Sequence, residues 1–179
     1  MRFKRTRRGL EGNPAAGEAA LLRRCALDLL ELLGEAEPAD ADPLAAMVGL
    51  PTGDPEAPED PALARLLPDA YGDDDPAASR EFRRYTDSDL RAGKRASAAV
   101  VVRTLPEGGG RMVLERADAD GWLGCLNDLR LVLGTRLEVT EDLDPDGLSR
   151  DDPRLPALEL YSWLGWLQES LLQAMEPRR

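Results

Sequence analysis

The sequence predicts a mainly α fold: a single-domain bundle of about four long helices, with short extra helices and a small N-terminal β-ribbon. Three observations carry this. Apolar residues recur at four, three and four along several segments, which is the period of one helical stripe and not of a strand. Pro, Gly and Asp collect between those segments, where helices stop and start. All three tryptophans sit in two near-copies of one phrase, Trp122-Leu123-Gly124-Cys125-Leu126-Asn127-Asp128-Leu129 and Trp163-Leu164-Gly165-Trp166-Leu167-Gln168-Glu169-Ser170. With only 4% aromatic residues in the chain, that concentration marks a core or a partner surface.

Each element follows in order. From Ala15 to Leu33, Leu22, Ala26, Leu29 and Leu33 form one stripe, widened by Cys25, Leu30 and Leu32, and Gly34 suits the C-cap. Residues 35–78 change character, with prolines interleaved among acids, and read as an acidic excursion within a single domain spanning 1–179. Short helices are expected there at Asp42-Pro43 and Asp60-Pro61, because Asp caps and proline is tolerated at the first helical position. Ser79 to Tyr85 reads as a helical turn or two. Thr86 or Ser88 then caps a helix to about Leu105, whose stripe holds Leu90, Lys94, Ala98, Val101 and Leu105. Val100-Val101-Val102 alone suits a strand, but Arg91 to Ala99 favour helix more strongly. Pro106 and Gly108-Gly109-Gly110 end it. Arg111 to Leu114 is extended and is expected to pair with residues 2–5 as the ribbon.

Asp118 or Asp120 opens the next helix, on which Trp122, Leu126, Leu129, Leu133 and Leu137 recur, with Gly134 as a late interruption. A second acidic loop covers 138–154. Pro156 suits the first turn of a last helix to about Met175, striped by Leu160, Leu164, Leu167, Leu171 and Met175. The matched spacing supports two helices packed around a common core.

The length of 179 residues is enough to bury a real core. The formal charge is −11, yet Arg2, Lys4, Arg5, Arg7 and Arg8 put +5 into the first ten residues and leave −16 on the rest. An acidic body repels phosphate backbones, whereas the cationic arm suits DNA, RNA or an acidic protein face. The plainer reading of that arm is a solvated or strand-forming terminus. No apolar run follows it, so it is not a signal peptide, and no stretch approaches the ~20 apolar residues that span a bilayer. A cytoplasmic protein without a membrane partner is expected.

The chain has two cysteines, Cys25 and Cys125, no CxxC and no histidine. Those absences exclude the usual zinc sites and imidazole-based catalysis, so no catalytic residue, cofactor or metal is assigned. The cysteines read as small core residues. Asp142-Leu143-Asp144-Pro145-Asp146-Gly147 resembles the opening of an EF-hand loop, but Pro153 stands where the bidentate Glu belongs, so an acidic turn is the better reading. Asp73-Asp74-Asp75 is explained as the negative start of a helix near Pro76. Gly108-Gly109-Gly110 lacks the Lys-Ser/Thr of a phosphate-binding loop and reads as a flexible turn. Asn127, Asp128 and Arg130 suit a partly buried polar brace between helices. Trp166 lies beside its helix's main stripe, which makes it a candidate partner contact as well as a candidate wider core face.

The run from Trp122 to Leu137, with its L-N-D-L-R-L-V-L-G-T-R-L block, resembles the signature of an actinobacterial family. That family was long catalogued as a domain of unknown function and is labelled the AosR-type oxidative-stress transcriptional regulators. The basic N-terminus, Phe82-Arg83-Arg84-Tyr85 and Tyr161-Ser162-Trp163-Leu164 are similar in order and spacing, so the resemblance spans nearly the whole chain apart from 35–78. It implies a cytoplasmic, mostly helical, non-enzymatic regulator acting with an alternative sigma factor and promoter DNA. Family genes tend to neighbour an adaptor of the Clp protease, which implies an alternative, an accessory factor in regulated proteolysis. A small-molecule-binding protein is a third reading, and a homo-oligomer stays open. The family's thiol sensing is tied to a C-x-x-x-C near the N-terminus. Here Phe3 to Gly9 contains no cysteine, so a dithiol switch is not carried over.

Overall fold

Helix α1, Ala16–Leu33, starts where Glu18 folds back to accept the Ala15 amide at 2.8 Å and ends at Gly34, whose φ of 65° suits glycine. It belongs to a computed structural model that describes residues 1–34, 58–68, 76–140, 149 and 151–176. The short helix expected at Asp42-Pro43 lies outside the described residues, as do Asp73-Asp74-Asp75 and the 142–147 turn. Helix α2, Pro61–Leu66, forms as its Asp-Pro start requires: Asp60 accepts from the Ala62 and Leu63 amides at 2.7 and 3.3 Å.

One expectation fails at helix α3, which runs unbroken from Pro76 to Thr104. Thr86 does not cap a new helix. Its hydroxyl donates to the Phe82 carbonyl at 2.9 Å, one turn back, so the residue that reads as a start signal sits inside the helix. Arg91 and Arg83 both reach Asp87 across single turns and carry the helix over the same region.

The N-terminal ribbon exists but with a different partner. Strands β1 (Lys4–Thr6), β2 (Gly9–Gly12) and β3 (Met112–Leu114) form an antiparallel sheet in the order β1-β2-β3. The extended stretch after the glycines therefore pairs with β2, Leu10 opposite Leu114, and not with residues 2–5. The chain turns at Arg7-Arg8 and places its own return strand in between, with the Thr6 hydroxyl bonding both the Gly9 carbonyl and the Arg8 amide. Leu10, Met112 and Leu114 face the core.

Helix α4, Arg116–Arg136, begins two residues before Asp118, which instead pairs with Arg103 at 2.7 Å from within the first turn. Helix α5 spans Leu155–Met175. Helix α4 is central and packs against α3, α5, α2 and α1. Leu22, Leu29, Val101, Trp122, Leu126, Leu164 and Leu171 are all buried in one cluster. Trp122 is fully buried, donates Nε1–H to Thr104 Oγ1 at 2.8 Å and meets the Phe3 ring edge-on at 5.4 Å. That contact fixes the hairpin to the bundle.

Helix C-termini leave carbonyls without intrahelical partners. Here arginines from other elements supply the donors. Arg23 of α1 reaches Val102 and Leu105 at the end of α3, at 2.7 and 2.6 Å. In return, Arg95 bonds the Leu30 and Gly34 carbonyls and Arg91 the Leu33 carbonyl, all at the end of α1. Arg5 of β1 closes α5, at 3.1 Å from the Ala174 carbonyl and 2.9 Å from that of Met175. A cation there also matches the negative end of the helix dipole.

Candidate interaction surface

Strand β1 is the outer strand of the sheet and lies beside the last turns of α5. An open groove of about 380 Å³ runs between them, lined by Arg2, Phe3, Lys4 and Arg5 on one side and by Ser170, Gln173, Ala174 and Glu176 on the other. The Phe3 amide points across to Ser170 Oγ at 3.4 Å. Arg7 and Arg8 form the exposed hairpin turn. The five basic residues are thus an ordered hairpin and not a loose arm. All five are exposed, yet they divide: Arg5 is committed to the α5 carbonyls, while Arg2, Lys4, Arg7 and Arg8, among the described residues, have no carboxylate within ion-pair distance.

Trp166 is 47% exposed, the most open of the three tryptophans; Trp122 is fully buried and Trp163 half-buried. The two similar phrases are therefore not equivalent in space. Their glycines differ as well, since only the first meets a neighbour closer than ordinary contact. A Cβ on Gly124 would lie 2.9 Å from Ser97 Oγ of α3, and one on Gly165 would lie 3.4 Å from Arg130 Nε of α4.

The polar residues of the first phrase separate. Asn127 is exposed. Asp128 is buried and receives Lys94 Nζ at 2.6 Å, tying α4 to α3. Arg130 reaches α5 instead: it donates to Gln168 Oε1 at 2.8 Å and to the Tyr161 hydroxyl at 3.4 Å, and its guanidinium lies 5.2 Å from the centre of the Tyr161 ring. Its Nε is buried with no hydrogen-bond partner among the described residues. Sequence reasoning missed Lys94 as the partner of Asp128, although its place on an otherwise apolar stripe was the available signal. The capping arginines carried no such signal, since their acceptors are backbone carbonyls of distant segments.

Chemically the surface offers charge and apolar area. Burial first, then Asp128 and Cys25, pushes the Cys125 thiol up to about 12. Burial first, then Asp28, raises that of Cys25. Among the described residues no group of three or more His, Cys, Asp or Glu is placed to hold a metal ion, and no helix is long and apolar enough to cross a membrane.

The family described as a domain of unknown function, DUF2017, matches residues 1–175. A protein of Mycobacterium leprae named putative oxidative stress regulator AosR is 37% identical over 174 residues, covering 90% of this chain and 80% of that protein. The oxidative stress regulators AosR of Mycobacterium bovis and Mycobacterium tuberculosis are 37% identical over 171 residues, covering 88% of this chain and 78% of theirs. No solved structure matches the chain. With nearly every residue inside the match, the chain belongs to the DUF2017 family.

Proposed function

We propose that this protein is a non-enzymatic regulator of the oxidative-stress response, working in the cytoplasm with an alternative sigma factor and promoter DNA. The observation that carries the reading is 37% identity, over about nine-tenths of the chain, to proteins named as oxidative stress regulators. The surface described above supports a binding role. Exposed Trp166 suits a protein contact, and the Arg7-Arg8 turn, projecting from an otherwise acidic body, suits a phosphate backbone.

Affinity capture of the tagged full-length protein from peroxide-stressed and unstressed cells tests the protein contact. A sigma factor is expected among the recovered proteins; if no transcription component is recovered under either condition, the reading fails. For DNA, the affinity of the intact protein is followed against salt. Arg7→Ala with Arg8→Ala is expected to flatten the slope by roughly one to two ion equivalents. An unchanged slope removes the DNA role of the turn.

A further inference from the structure

We infer that the groove between β1 and α5, continued along α5 to Trp166, is one docking surface for an extended acidic segment of a partner protein that carries an apolar residue. This rests on the reading of the protein as a binding regulator and names the chemistry of the segment it takes. Three features converge. First, β1 is the outer strand of the sheet and is held against α5, the buried Phe3 amide donating to Ser170 Oγ and the Arg5 guanidinium to the last α5 carbonyls, so the groove has two fixed walls. Second, Arg2 and Lys4 stand on this edge exposed and, among the described residues, without carboxylate partners. In a chain with a formal charge of −11, such a basic site within an acidic body selects an acidic segment. Third, Trp166 and Gln173 are seven residues apart on α5 and share a face, about 10 Å apart along the axis. Trp166 also lies one turn before Ser170, which accepts the Phe3 amide, so the exposed ring continues the helix face that lines the groove.

The groove favours a peptide over a nucleic acid. It is a slot of about 380 Å³ between a strand and a helix, with Glu176 on its helix side and Glu169 bonded to the lining Gln173 at 2.8 Å. Phosphates approaching from that side meet those carboxylates. A peptide can instead set its acids against Arg2 and Lys4 and its apolar residue against Trp166.

The test uses the intact protein and a fluorescein-labelled peptide of alternating glutamate and isoleucine, followed by anisotropy. Saturable binding is expected, with a change in tryptophan emission. Arg2→Glu with Lys4→Glu, and separately Trp166→Ala, should each weaken it by about tenfold or more. Arg7→Ala with Arg8→Ala should leave it unchanged. Equal binding of the peptide by the Arg2→Glu, Lys4→Glu variant overturns the inference, as does equal binding of a peptide alternating lysine and isoleucine. So does a labelled DNA duplex whose binding depends on Arg2 and Lys4 rather than on the turn, or a wild-type dimer that Trp166→Ala dissociates. The two readings fail separately. If the groove variants still capture a sigma factor from cells, the surface is wrong and the regulator stands. If the peptide binds as described but no transcription component is captured, the regulator is wrong and the surface stands.

Discussion

Lys94 Nζ lies 2.6 Å from Asp128 Oδ1, and this ion pair joins α3 to α4 where both side chains are largely withdrawn from solvent, 16% and 4% exposed. Removing one partner of such a pair leaves the other charge stranded, which costs far more than the pair contributes net. Asp128→Ala is expected to destabilise the protein by about 3 kcal/mol, and the double replacement Lys94→Met, Asp128→Leu by much less. Urea unfolding of the single and double variants checks this. Equal losses in both would mean that packing, and not stranded charge, sets the cost.

Burial keeps both cysteine thiols from ionising readily. With Cys125 held near 12 and Cys25 also raised, both thiols stay protonated at neutral pH and are poor nucleophiles. The native protein is expected to resist iodoacetamide at pH 8 and to take up two labels only once unfolded in urea. Rapid labelling of Cys125 in the folded protein, seen by mass spectrometry, would contradict this.

Within Gly108-Gly109-Gly110, the middle residue alone is constrained from both sides. Gly109 has a φ of 77°, and a Cβ there would lie 2.6 Å from Ala16 N and 2.8 Å from Pro14 O, backbone atoms that cannot swing aside. Gly109→Ala is expected to cost about 2 kcal/mol or more, from strain and overpacking together. Gly108 has open space around its Cβ position, so Gly108→Ala should change the melting temperature little. A thermal melt that ranks the two the other way would rule out the close approach.

Asp60 gives acid stability a definite direction. The Ala62 amide, chiefly, with Arg136 and the Leu63 amide, holds its carboxyl below the ordinary value. Its folded pKa is therefore depressed. The stabilisation is present above the unfolded value of about 3.9 and is lost as pH falls through the lower folded value. Asp60→Ala should lower the melting temperature at pH 7, with the gap to wild type closing in acid. A gap that persists after the wild-type carboxyl has been protonated would show that the loss is not electrostatic. Arg136 reaches the same carboxyl at 2.8 Å, so Arg136→Ala should reproduce part of the effect.

The helical stripes were legible because their cause is local. Leu22, Ala26, Leu29 and Leu33 share a face by the pitch of the helix alone, and Asp60-Pro61 starts a helix through its own side chain. The same local reasoning misread Thr86, whose hydroxyl can accept from a backbone amide as a cap or donate to the carbonyl one turn back within a helix. The helix won because neighbouring Asp87 pairs with arginines on both sides.

What the sequence by itself determined is the class of the fold, the positions of most helices, the absence of histidine chemistry and the likeness to a regulator family. Tertiary structure alone decided which residues meet. It inserted β2 between β1 and β3, turned Arg5 from a surface charge into a cap for α5, and gave Asp128 and Arg130, two residues apart, different helices to hold. It buried Trp122 and left Trp166 exposed within similar phrases. The physical reason is common to all of these. Periodicity fixes the face a side chain takes on its own helix, whereas its partner is fixed by packing against elements distant in sequence, where backbone carbonyls and open space leave no mark in the order of residues.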